Sequence, residues 1–110
     1  MSLDRVITAL TDLGLTRLDA EIYVYLAKKG LRKTSTLARN LNYPKQKIYP
    51  SLNKLLKLGL LTRHQSLYSA LPFEKALEIL INSQRDEEKS LEKYKKELLV
   101  NWTNNDNINS

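Results

Sequence analysis

The chain has 110 residues, 42% of them hydrophobic, with no cysteine and a formal charge of +6. That is enough for one small globular domain with a modest core, and it excludes disulfides and thiolate metal sites. The charge is strongly segregated: Ile22 to Phe73 holds ten Lys or Arg and no acid, whereas residues 1–21 hold four acids against two bases and residues 74–110 eight against six.

At the start, Leu3, Val6, Ile7, Leu10 and Leu13 recur at helical spacing, and Gly14 stops the pattern as a C-terminal cap. Thr16 then reads as an N-cap, with Asp19 three positions on to complete a capping box. The helix it opens is expected to bury Leu18, Ile22, Tyr25 and Leu26, and to end at Lys28-Lys29-Gly30, where two cations suit the negative end of the helix dipole. Thr34 or Ser35 reads as the next N-cap, with Leu37, Ala38 and Leu41 facing inward. Asn42 tolerates a left-handed turn, and Pro44 suits a first helical position. A further helix runs from there through Ile48, Leu52, Leu55 and Leu56 to Gly59.

After Gly59 the period becomes alternating. Leu60 to Arg63 and Leu67 to Leu71 read as two strands around His64-Gln65-Ser66, a hairpin that Pro72 ends. A long polar helix is expected from about Phe73 to about Asn101. Leu77, Gln84, Leu91 and Leu98 lie seven apart, with Leu80, Glu87, Tyr94 and Asn101 three further along, a heptad stripe with a polar middle. Residues 103–110 read as a disordered tail.

Two short helices, a tight turn and a hairpin form the layout of a winged helix-turn-helix, whose second helix enters the DNA major groove. The fold class is thus mainly α with a small β-hairpin, divided as 1–72 winged helix-turn-helix, 73–102 dimerisation helix and 103–110 tail. Opposite the buried stripe Ile48, Leu52, Leu55 the second helix carries Gln46, Lys47, Asn53, Lys54 and Lys57, with Lys45 and Tyr49 on the flanks. Gln46 and Asn53 are amides able to read adenine edges, and the lysines suit phosphates or guanine. Tyr49 either stacks on a sugar or bonds a phosphate, or pads the edge of the core. Thr34 and Ser35 open a helix whose amides favour an anion, Arg63 is placed to touch the DNA backbone, and His64 either does the same or is a solvated loop residue. A stretch of this length without acids is unlike a solvated face, where charge signs alternate.

These residues carry a family resemblance. Leu13-Gly14-Leu15-Thr16, Ala20-Glu21-Ile22-Tyr23, Tyr43-Pro44-Lys45-Gln46-Lys47-Ile48-Tyr49, Gly59-Leu60-Leu61 and Tyr68-Ser69-Ala70-Leu71-Pro72 resemble, in order and spacing, the TrmB-like archaeal and bacterial transcriptional regulators, over roughly residues 3 to 80. The resemblance implies a winged-helix DNA-binding domain acting as a dimeric regulator. Larger members add a C-terminal sugar-binding domain for which 110 residues leave no room, so a small-molecule effector is unsupported. Pro50 departs from the pattern. It removes a hydrogen bond to the Gln46 carbonyl, at about 3 kcal/mol in an unaccommodated helix interior, so a kink is expected and base contacts concentrate in Lys45 to Tyr49.

The partners expected are double-stranded DNA and a second copy, through Leu77, Leu80, Leu91, Tyr94 and Leu98, with Trp102 either packing on the partner or hanging free. Such a pair would set two recognition helices about one turn of duplex apart. No apolar run reaches the roughly 20 residues of a membrane span, and Met1-Ser2-Leu3-Asp4 lacks a secretory start, so a cytoplasmic, membrane-free protein is expected. An enzyme is not: there is one histidine, no phosphate-cradling glycine loop and no paired carboxylates outside the polar last helix. No catalytic residue, metal or cofactor is expected. Two other readings stand beside the regulator: a winged-helix protein-interaction module, and a non-specific architectural DNA-binding protein.

Overall fold

A computed structural model describes residues 3–105. Its helices are α1 (Leu3–Asp12), α2 (Arg17–Lys29), α3 (Thr34–Leu41), α4 (Lys45–Leu58) and α5 (Phe73–Asn104), and its strands are β1 (Arg32–Lys33), β2 (Leu61–His64) and β3 (Leu67–Ala70). The strands form an antiparallel sheet in the order β1-β3-β2. No described helix is long and apolar enough to cross a membrane.

The capping box forms as expected: the Thr16 hydroxyl accepts from the Asp19 amide at 3.1 Å, and Asp19 Oδ2 accepts from the Thr16 amide at 3.0 Å. The inner face of α2 is wider than a single stripe, because α2 packs against α1, α3, α4 and β3 together. It buries Asp19, Ala20, Ile22, Tyr23, Val24 and Leu26, while Leu18 and Tyr25 are only half-buried. Tyr23, not Tyr25, is the core tyrosine, and its hydroxyl donates to the Leu71 carbonyl at 2.6 Å.

The short strand β1 pairs Arg32 with Tyr68 and Lys33 with Leu67. It moves the start of α3 forward by a residue. Lys33 takes the N-cap position with no side-chain cap bond, and Thr34 is the first helical residue, so neither Thr34 nor Ser35 is the cap. Asn42 is left-handed at φ 61°, as its position between α3 and α4 suggested. Pro44 is the N-cap of α4 and not its first helical residue. Pro50 neither ends nor divides that helix, which continues through it to Leu58. In the hairpin, His64 belongs to β2 opposite Leu67, leaving a tight turn of Gln65 and Ser66. Gln65, at φ 58°, supplies the positive dihedral that such a turn favours.

One core joins Leu10, Ile22, Leu26, Leu37, Ile48, Leu52, Leu55 and Leu60 to Ala76 and Leu80 of α5. The first turns of α5 therefore belong to this core. Beyond them the helix leaves the body as an arm, which gives the molecule extents of 61 × 29 × 27 Å. It runs through Thr103 and Asn104, where a tail was expected, and the remainder of that expected tail, residues 106–110, lies outside the described residues.

Candidate nucleic-acid interface

The helix-turn-helix is α3 and α4, and α4 packs against α2, α3 and β2. Ile48, Ser51, Leu52 and Leu55 turn inward. Lys45, Gln46, Lys47, Tyr49, Asn53, Lys54 and Lys57 are all exposed, as are Ser35, Arg63 and His64 on the neighbouring elements. Tyr49 thus lies outside the core, 48% exposed. Thr34 is buried, which leaves Ser35 as the accessible hydroxyl at the start of α3. On the wing, the Arg63 guanidinium lies 5.7 Å from the centre of the Tyr68 ring, its cross-strand partner, and its Nε donates to the Gln65 carbonyl at 2.7 Å. That cation–π contact holds the charge against the sheet.

A buried acid from outside the acid-free block bonds to α4. Asp19 is 1% exposed; its Oδ1 accepts from the Ser51 hydroxyl and its Oδ2 from Lys54 Nζ, each at 2.7 Å. Burial raises the Asp19 pKa, but the bonds from Lys54, Ser51 and Thr16 outweigh it and hold the carboxyl below the ordinary aspartate value. Lys54, read from the sequence as a phosphate contact, is thus tied inward by an ion pair, though its side chain stays 43% exposed. Lys45, Lys47 and Lys57 form no ion pair among the described residues. The other α2 acid, Glu21, pairs with Arg17 at 3.0 Å. The Asp19–Ser51–Lys54 cluster was hidden in the sequence, since its members lie 32 and 35 positions apart.

The heptad stripe of α5 divides into two parts. Leu80 is 3% exposed and Leu77 half-buried, both packed into this chain's own core and so not free to meet a partner as expected. Gln84 Nε2 donates to the Leu13 carbonyl at 2.9 Å, at the end of α1. From Leu91 onward the stripe is unpartnered: Leu91, Tyr94 and Leu98 are each more than half exposed and Trp102 is 77% exposed.

A helix-turn-helix with an outward basic second helix, backed by a three-stranded sheet, makes this a winged helix-turn-helix fold. The family described as sugar-specific transcriptional regulator TrmB matches residues 10–74, more than half of the chain, and the chain belongs to that family. Among solved structures it is similar to TrmBL2, described as an archaeal chromatin protein whose structure shows a novel mode of DNA binding. The identity is 26% and the TM-score 0.71, over 94% of this chain and 43% of that one, so the chain spans less than half the length of that relative. No curated protein sequence matches the chain.

Proposed function

We propose that this chain is a double-stranded DNA-binding transcriptional regulator that lays α4 in the major groove and acts as a homodimer. The observation that carries the reading is the exposed face of α4. It offers Lys45, Lys47 and Lys57 as cations without ion-pair partners among the described residues, and Gln46 and Asn53 as amides, within a segment that contains no acid. The lysines and Ser35 meet phosphates, Arg63 and His64 meet the backbone from the wing, Tyr49 stacks or bonds at the groove edge, and Gln46 and Asn53 read bases. Residues 1–72 with the first turns of α5 form the DNA-binding unit, and the distal stripe of α5 pairs the two copies.

Duplex binding measured against salt tests this. With about four phosphates neutralised per subunit, log affinity should fall against log salt with a slope near −7 for a dimer. Absence of binding to any duplex at low salt would sink the reading. Promoter-region DNA should bind more tightly than random DNA, and Gln46→Ala or Asn53→Ala should relax preference at one base pair by about 1–3 kcal/mol. A second reading, a non-specific architectural DNA binder, draws on the chromatin protein among its structural relatives. Equal affinity for both DNAs decides for it.

A further inference from the structure

We infer that the two copies pair through their α5 arms in antiparallel, each arm tip lying against the body of the other copy. This rests on the homodimer reading above and specifies its geometry. The first observation is steric. Ala76 and Leu80 are buried against this chain's own body, and Gln84 bonds to Leu13, so one face of α5 is occupied by the body up to that level. At about 100° per residue, Glu87, still at the edge of the cleft by Leu13 and Gly14, and then Leu91, Tyr94 and Leu98 continue that same face outward. A parallel partner helix on this face would have to run through the space that the body fills beside Leu80, and each body would obstruct the other. An antiparallel helix meets no such obstacle, because the second body lies beyond the tip of the first arm.

The second observation is charge. Arg85 to Glu88 holds three acids and one base, and Lys93 to Lys96 holds three bases and no acid. Parallel arms would stack acid on acid, with Glu87 facing its own copy inside the seam. Antiparallel arms in the register that sets Leu91 against Tyr94 of the second copy bring Glu88 beside Lys95 twice, once on each side of the twofold axis. In that register Gln84 lies level with Asn101, and Trp102 arrives next to Ile81, 40% exposed. The most exposed large apolar side chain among the described residues thereby gains cover. The Leu80 residues of the two copies then stand roughly 37 Å apart along the rod, at about 1.5 Å per residue, close to one turn of duplex.

The chain has no cysteine, so single exposed cysteines report the geometry directly. Sedimentation of the unaltered protein comes first. A monomer at all concentrations overturns both the homodimer and this pairing. If it is a dimer, Leu98→Cys alone should give no disulfide-linked dimer, whereas a mixture of Leu98→Cys and Glu87→Cys chains should cross-link. Linkage of Leu98→Cys to itself, or a dimer in which neither combination links, overturns the antiparallel register and leaves the homodimer standing. As a second measurement, Glu88→Lys should weaken dimerisation by roughly threefold to tenfold through two like-charge contacts, and adding Lys95→Glu in the same chain should restore it. Failure of that restoration also counts against the register.

Discussion

The Ser51 hydroxyl donates to Asp19 Oδ1 at 2.7 Å, joining the first turn of α2 to the middle of α4. With Lys54 on the other oxygen and the Thr16 amide beside it, one buried carboxylate both caps α2 and fixes the helix proposed to read DNA. Its loss therefore strands partners on two helices.

Asp19→Ala is expected to cost about 2–4 kcal/mol, as the hydroxyl, the amide and the half-exposed ammonium lose a common acceptor. Asp19→Asn, which can still accept from Ser51, should cost about half of that. Urea unfolding of the three proteins measures both. The pH dependence has a definite sign. The folded carboxyl sits below its ordinary value, so the unfolded chain takes up the proton first. The contribution of Asp19 is complete above the unfolded value of about 3.9 and is lost as pH falls through the lower folded value. Asp19→Asn should flatten that acid limb, and an unchanged limb would show that the carboxylate is not held as described.

The lysines of α4 should separate into two behaviours. Lys45→Gln and Lys47→Gln should each reduce the salt slope of DNA binding by about 0.9 per subunit and leave stability within ~0.5 kcal/mol. Lys54→Gln should do the reverse, lowering stability and changing the slope less, because its charge already faces Asp19. Thermal unfolding and a salt titration on the same samples test this, and three equal slope changes would contradict it.

Gly14 is held at φ +107°, and a Cβ there would lie 2.7 Å from Gln84 Nε2. Gly14→Ala should therefore cost about 1–2 kcal/mol for the backbone conformation. A further ~1 kcal/mol should follow if Gln84 withdraws from the Leu13 carbonyl. In Gln84→Ala the second contribution is already absent, so adding Gly14→Ala there should cost only the first. Double-mutant unfolding measures the difference.

What was legible in the sequence was whatever is written at short range. The Thr16–Asp19 box, the left-handed Asn42, the glycine ends of α2 and α4 and the change of period after Gly59 depend on neighbours a few positions apart. Strand β1 escaped because two residues carry no period, and its pairing with β3 is 34 to 36 positions distant. Tyr23 was passed over for Tyr25 because an apolar stripe assumes one buried side, while α2 is enclosed by four elements. Gln84 read as a flaw in a zipper and proves to be a tie between α5 and the end of α1. In the candidate interface, exposure followed helical geometry closely. The inward pull on Lys54 did not, because an acid outside the block produces it.

Since α5 is unbroken from the core to Asn104, the bearing of its outer stripe relative to α4 is a matter of counting residues. One residue inserted between Gln84 and Leu91 would swing everything beyond it by about 100° and carry Leu91, Tyr94 and Leu98 off the shared face. Seven would bring the stripe back to within about 20° and lengthen the arm by about 10 Å. In the proposed homodimer the arm would act as a vernier between two reading heads, in which phase and span change together and only certain lengths preserve both.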